Sequence, residues 1–302
     1  MSLIKEIMQA AAGEGASDVH ITAGLPPRMR INGHLHSMNL PKMTAKDTLE
    51  IVLEMMTEQQ RRVYEEYGEY NMSFMIQGIG RCRVSVYRQR GQTALSLRLI
   101  SLQIPSCAEL GIPESVLELY DKEAGLILVT GPAGSGKTTT LASLIDKINS
   151  SREVHILTLE SPIEYLHKHK LAMVNQREIG QDSLSYAAAL KAALREDADV
   201  LMIGEITDAE TIEAALLAAE TGHLVLTSMS ALGAADMLER IVDAFLPHKQ
   251  QQMRRRFANV LQAVVFQQLK PSHDGRGRVA SFEVLEVDEE KRMLLKGEKA
   301  KI

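Results

Sequence analysis

One octapeptide constrains this chain more than any other feature. Gly131-Pro132-Ala133-Gly134-Ser135-Gly136-Lys137-Thr138 follows the apolar run Gly125–Thr130 without a break and opens a helix-forming stretch. Its glycines let the backbone turn successive N–H groups inward, and the helix start adds partial positive charge. Such a strand–loop–helix cradles phosphate. Lys137 is placed to reach the β- and γ-phosphates, Thr138 to ligate Mg²⁺, and Thr139 to extend the binding segment. A chance match to this pattern arises in about one per cent of chains of this length, and the flanking strand and helix make it rarer. The ligands implied are ATP and ADP with Mg²⁺.

The loop requires a sheet, and the chain supplies one from about residue 114. Candidate strands Gly125–Thr130, Val154–Leu159, Val200–Ile203 and Leu224–Ser228 alternate with helices starting near 137, 183, 208 and 233. Strands separated by helices predict a mainly parallel sheet with right-handed crossovers. A long helix near 247–265 follows, and runs 264–269 and 278–285 flank Asp274-Gly275-Arg276-Gly277, a turn signal for a terminal hairpin. Residues 1–100 read as a separate small α/β domain. It has short strands at 17–22 and 28–31 with the hairpin pair Asn32-Gly33, then helices near 44–56 and 57–67. Three strands follow near 69–76, 81–88 and 93–100. Residues 101–113, with two prolines, one glycine and no periodicity, read as a linker, which leaves 114–302 as the nucleotide-binding domain.

Composition narrows the function classes. A net charge of −5, no tryptophan and 4% aromatics speak against a nucleic-acid motor. Cys82 and Cys107 alone build neither a disulfide framework nor a four-thiolate zinc site. The start, MSLIKEIMQAAAGEG, reads as an amphipathic helix rather than a signal peptide. No apolar run approaches the ~20 residues of a membrane span. The expectation is a soluble cytoplasmic protein without direct membrane insertion.

Phosphoryl transfer to water needs a metal-side acid and a group that orients the water. Glu205 ends the strand opened by Asp199, at the end of an open α/β sheet where ligands bind. It is the first candidate catalytic residue. Glu160, beside Ser161-Pro162-Ile163-Glu164, ends another strand. Glu160 and Glu164 could both approach Mg²⁺ or water, and Glu160 is the candidate for catalysis and for Mg²⁺, directly or through water, on the expectation that its strand neighbours the strand before the loop. Nine histidines show no metal-ligand spacing, and His167 and His169 read as a surface loop. His223 immediately precedes a strand.

Longer motifs carry a resemblance. Residues 16–33, TLESPIE (158–164), NQREIG (175–180), ALREDADVLMIGEITDAET (193–211) and AAETGHLVL (218–226) are similar to the type IV pilus retraction ATPases. They occur in that family's order across nearly the whole chain. The resemblance implies a PAS-like N-terminal domain joined to a RecA-like P-loop ATPase domain. It implies a homo-oligomeric ring, hexameric in the family, that hydrolyses ATP to depolymerise pilin. The ring would act through an inner-membrane platform protein, on the cytoplasmic face of the membrane, with a paralogous motor ATPase as a further partner. By resemblance Glu160 belongs to an acidic box, Glu205 is the Walker B glutamate and His223 opens a histidine box. Arg83 and Arg98 resemble arginines that reach a neighbouring subunit's phosphates.

Three positions depart from the family pattern. Ser161 stands where the acidic box carries aspartate, Thr207 where an arginine follows the Walker B glutamate, and Ser230 where the second histidine stands. The chain also ends soon after Gly297, where relatives continue. These changes imply lost groups for γ-phosphate sensing and subunit coupling. They keep open a weakly active or inactive nucleotide-gated regulatory subunit. A pilus assembly or type II secretion ATPase is the other alternative, disfavoured by the two-cysteine count.

Overall fold

The computed structural model describes residues 2–100, 103–271 and 278–297, and the chain divides into two compact units, Met1–Leu102 and Gln103–Ile302. The two-part α/β architecture expected from the sequence is present.

In the first unit the elements are α1 (Leu3–Gly13), β1 (Asp18–Thr22), β2 (Arg28–Ile31), β3 (His34–Ser37), α2 (Ala45–Met55), α3 (Glu58–Tyr67), β4 (Glu69–Ile76), β5 (Gly80–Gln89) and β6 (Gln92–Leu99). The strands form one antiparallel sheet in the order β3-β2-β1-β6-β5-β4. Asn32 and Gly33, with φ of 49° and 86°, turn β2 into β3, the left-handed pair a two-residue hairpin requires. Thr44 with Asp47, and Thr57 with Gln60, close reciprocal hydrogen bonds that start α2 and α3. Strand alternation sends Val19, Ile21, Val84, Val86, Leu95 and Leu97 into a core shared with Ile4, Ile7 and Met8 of α1 and Ile51 and Val52 of α2.

The second unit contains α4 (Glu114–Leu117), β7 (Gly125–Gly131), α5 (Lys137–Ser151), β8 (His155–Glu160), β9 (Met173–Glu178), α6 (Tyr186–Ala193), β10 (Val200–Ile203), α7 (Ala209–Glu220), β11 (Leu224–Ser230), α8 (Ala234–Asp243), α9 (Pro247–Val260), β12 (Leu261–Pro271), β13 (Arg278–Glu286) and α10 (Glu289–Lys296). The sheet order is β13-β12-β7-β11-β10-β8-β9. Every neighbouring pair is parallel except β12–β13. All seven residues of β7 are buried, as expected for a central strand covered on both faces. Leu144, Ile145 and Ile148 of α5 fill one face with Val116. Ile212 and Leu216 of α7, Ile241 of α8 and Phe257 of α9 fill the other.

Two expectations are corrected. The helix expected to run to 265 ends at Val260, because the run Ala263-Val264-Val265-Phe266 belongs to β12, parallel to β7. β8 is not adjacent to the loop-bearing strand: β11 and β10 lie between them. The strand β9 and helix α10 were not anticipated. The turn read at Asp274–Gly277 lies outside the described residues. From Gln103 the segment read as a linker belongs to the second unit. There Ser143 Oγ donates to the Pro105 carbonyl at 2.7 Å, and Ile112 is buried beside Val116.

Phe257 is fully buried in the α7–α9 face of the core. Truncation there removes a large apolar volume that the parallel sheet cannot collapse to fill. Phe257→Ala should therefore lower unfolding stability by about 3–5 kcal/mol. Urea denaturation checks it, and a loss below about 1 kcal/mol would contradict the packing described.

Candidate nucleotide site

Parallel strands all present their C-terminal ends to one edge of the sheet, and the chemistry-bearing residues collect there. β7 ends at Gly131, α5 begins at Lys137, and the loop between them carries φ of 151° at Gly131, 75° at Gly134 and 89° at Gly136. A Cβ at Gly131 would lie 2.1 Å from the Gln267 carbonyl oxygen, so no other residue fits that close approach. Gln267, buried on β12, holds the loop with both ends of its amide. Its Nε2 donates to the Ser135 carbonyl at 2.8 Å, and its Oε1 accepts from Thr140 Oγ1 at 2.8 Å.

Lys137 folds back into this loop. Its ammonium donates to the carbonyls of Gly131 at 3.0 Å and Pro132 at 3.1 Å and to Ser230 Oγ at 3.3 Å. Burial pushes its pKa below the ordinary lysine value, and the Glu205 carboxylate opposes that. Ser230 in turn donates to Glu205 Oε1 at 2.8 Å. Glu205, two residues past the end of β10, is thereby linked to the loop through Ser230. Pro132, Ala133 and Gly134 form the loop's exposed lip, and Thr138 is half-buried in the first turn of α5.

Glu160 ends β8, on the far side of β10 from the loop. It is buried, and its Oε1 accepts from Thr158 Oγ1 at 2.7 Å and Gln176 Nε2 at 3.0 Å. Burial raises its pKa above the usual carboxylate value, while those two bonds and the Glu164 backbone N–H act against the rise. Gln176 also donates to the Tyr165 carbonyl, and the Tyr165 hydroxyl lies 3.0 Å from Thr139 Oγ1. A chain of polar contacts therefore joins the first turn of α5 to Glu160. Tyr186 is near enough to both acids to feel their charge. Its phenol is pushed up to about 12 by burial and by the charges of Glu160 and Glu205, with the Ser161 N–H opposing. Neither Tyr186 nor Gln176 was singled out from the sequence. A tyrosine at a helix start was the one available signal, since Gln176 sits in a mostly polar strand.

Other expected residues fall elsewhere. His223 precedes β11 at the end remote from the loop. Its neighbour Leu224 pairs with Gly125, whereas Ser230 pairs with Gly131. That separation is roughly 20 Å along a strand. The His223 ring nitrogen Nδ1 is 3.0 Å from the Ala218 carbonyl, at the end of α7 and not among the groups around the loop. Asp199 likewise sits at the remote end, accepting from the His155 N–H at 2.8 Å. Thr207 is exposed, as are Arg83 and Arg98 in the first unit. Those two arginines pair directly across β5 and β6, and Arg98 Nε contacts Asp18 Oδ1 at 2.8 Å. Burial pushes the Asp18 carboxyl up, but bonds from Arg98 and Ser17 outweigh it and hold it below its usual value.

The residues fit a nucleotide's phosphates. Ser135 Oγ and Thr130 Oγ1 are buried without a partner at the loop, and the Ser135 hydroxyl faces the point where a Gly131 Cβ would sit. Beside the loop a cavity of about 300 Å³ is lined by Leu110, Gly136, Thr139, Gln267, Leu269 and Arg278. Apolar walls next to a phosphate cradle suit a base and ribose.

A P-loop cradle at the C-terminal edge of a parallel sheet, faced by a glutamate on a nearby strand, defines a P-loop ATPase. Residues 1–298 match the family model of the type II/IV secretion system proteins, and the chain belongs to that family. The type IV pilus retraction ATPase PilT of Pseudomonas aeruginosa is 41% identical over 93% of this chain and 82% of its own length. The type IV pilus ATPase PilU of the same organism is 41% identical over 93% and 74%. The pilus retraction motor PilT solved with bound ADP superposes with a TM-score of 0.92 at 47% identity, covering 97% of this chain and 86% of that one.

The loop between β8 and β9 contributes one pH-sensitive group near the site. His167, whose N–H donates to Gln176 Oε1, has its ring buried, and that burial depresses its pKa to about 4, with Asp146 opposing. The unfolded chain takes up this proton near pH 6.5 and the folded chain does not, so stability present above pH 6.5 is lost as pH falls toward 4. The contribution is about 3 kcal/mol across that window. Unfolding of His167→Gln measured from pH 7 to pH 4 should show a flatter dependence than wild type, and equal slopes would contradict the assignment.

Proposed function

We propose that this chain is a ring-forming motor ATPase that hydrolyses ATP to retract type IV pili. The observation that carries the reading is the buried Lys137 ammonium linked through Ser230 to Glu205 at the open edge of the sheet. On this reading Lys137 leaves the Gly131 and Pro132 carbonyls to donate to β- and γ-phosphate oxygens. The N–H groups of the loop and the first turn of α5 take the remaining phosphate charge. Thr138 and Glu160 would hold Mg²⁺, Glu160 directly or through water. Bound there, Mg²⁺ would neutralise charge on the β- and γ-oxygens. Glu205 orients the attacking water and accepts its proton.

The first unit, read as PAS-like, supplies charge in trans. Arg83, Arg98, Asp18 and Arg30 form one row across β5, β6, β1 and β2 by direct cross-strand pairing. Three guanidinium groups and one carboxylate in this row leave net positive charge for a neighbouring subunit's phosphates. That requirement for neighbours supports a closed ring, six-membered by analogy with the family. No helix among the described residues is long and apolar enough to cross a membrane. This fits attachment at the cytoplasmic face through a platform protein.

One observation favours a second reading. Ser161, exposed next to Glu160, adds no second carboxylate on the metal side, which fits a slow, nucleotide-gated regulatory subunit beside a more active motor. Steady-state ATP hydrolysis of the assembled protein with Mg²⁺ separates the two. Lys137→Ala and Glu205→Gln should each lower turnover by about a hundredfold or more. Wild-type turnover no faster than that of Glu205→Gln would sink the motor reading and favour the regulatory one.

A further inference from the structure

Ser230 occupies the last position of β11, paired in register with Gly131, and is half-buried. A hydroxyl has one proton to donate and lone pairs to accept. Here the proton goes to Glu205 Oε1 at 2.8 Å, and a lone pair accepts from Lys137 Nζ at 3.3 Å. An ammonium has three protons. Those of Lys137 go to the Gly131 carbonyl, the Pro132 carbonyl and Ser230, so the lysine is satisfied within the loop itself. Of these three contacts only the one to Ser230 leads to another catalytic group.

We propose that Ser230 is the positioning residue of this ATPase: its hydroxyl orients the Glu205 carboxylate and couples that orientation to whether Lys137 is engaged with phosphate. The inference rests on the motor reading above and deepens it. With Lys137 on the Ser230 oxygen, the hydroxyl is held from both sides and Glu205 Oε1 is tied toward the lysine. When Lys137 donates to phosphate, Ser230 keeps its proton on Glu205 but gains a free lone pair and the freedom to rotate, and the carboxylate turns with it toward the attacking water. A serine does this directly because it stands within hydrogen-bond reach of both partners. The substitution read from the sequence as the loss of a sensing group is thereby a working device. The geometry also explains why Glu205, half-exposed at a strand end, has a defined orientation: its side chain accepts a bond from the adjacent strand. The Tyr186 hydroxyl lies beside Gly204, next to Glu205 in the chain.

The test uses the protein and five variants, Ser230→Ala, Ser230→Thr, Lys137→Ala, Glu205→Gln and Ser230→Ala combined with Glu205→Gln. Steady-state hydrolysis gives kcat and KM for MgATP, and equilibrium titration with the fluorescent analogue mant-ADP gives affinity independently of turnover. Ser230→Ala should lower kcat on the order of tenfold to a hundredfold, the scale of one hydrogen bond to a charged group, with KM within about twofold. Its mant-ADP affinity should equal or exceed wild type, since Lys137 then has one contact fewer to give up. Ser230→Thr, which keeps the hydroxyl, should recover kcat to within about threefold of wild type. Added to Glu205→Gln, Ser230→Ala should cost nothing more, because both act through one carboxylate.

Ser230→Ala with wild-type kcat, beside an inactive Lys137→Ala, would overturn the role of Ser230 and leave the motor reading standing. Equal losses in Ser230→Ala and Ser230→Thr, or loss of mant-ADP binding in Ser230→Ala, would reduce Ser230 to a structural contact and overturn the proposal. A wild type no more active than Lys137→Ala would overturn both readings together.

Discussion

An ammonium taken out of water without partners costs far more than a small domain's net stability, and Lys137 is buried. The site is organised around satisfying it. Two of its partners are loop carbonyls that exist in this orientation only because Gly131, Gly134 and Gly136 take positive φ. The third is a side chain on the strand next to β7. None of these contacts binds the lysine as well as phosphate oxygens would, because neutral acceptors cannot match a charge-assisted pair. The lysine is thus satisfied by neutral acceptors that still favour exchange for phosphate.

The sheet is what makes that arrangement possible. Running β7, β11, β10 and β8 parallel brings Gly131, Ser230, Glu205 and Glu160 to one edge, although they are scattered over about a third of the chain. The order matters as much as the direction. With β11 between β7 and β10, Ser230 stands between Lys137 and Glu205, so a serine hydroxyl can span the gap. Glu160 is one strand further out and reaches the site by way of Gln176, Tyr165 and Thr139 rather than by lying beside the loop. Gln267 performs the matching task on the other flank, fixing the loop from β12 with a buried amide.

Much of this was legible in the sequence because it is local. The strand–loop–helix around Gly131 and the acid after Val200–Ile203 are contiguous, and hydrophobic patterning marked the main strands and helices. What could not be read depends on which strands lie side by side. β8 was expected beside the loop-bearing strand, yet two strands intervene. β9 escaped notice because Met173–Glu178 carries four polar residues in six, as an edge strand can. The start of β12 was absorbed into α9 because Val260 and Leu261 continue a helical apolar pattern into a strand without a turn between them. His223 drew attention by its motif and lies at the end of its strand remote from the loop. Ser230 was read as a missing histidine, because nothing in the linear sequence places Glu205 Oε1 and Lys137 Nζ on either side of its hydroxyl.

The central claim is that Lys137 exchanges its loop carbonyls for phosphate while Ser230 stays bonded to Glu205. A crystal structure of the protein with ADP, Mg²⁺ and aluminium fluoride as the γ-phosphate mimic tests it directly. The account predicts Lys137 Nζ within about 3 Å of the β-phosphate and the fluoride group, the carbonyls of Gly131 and Pro132 released, and Ser230 Oγ still on Glu205. Lys137 remaining on those two carbonyls, or Glu205 turned away from Ser230 and the mimic, would contradict it.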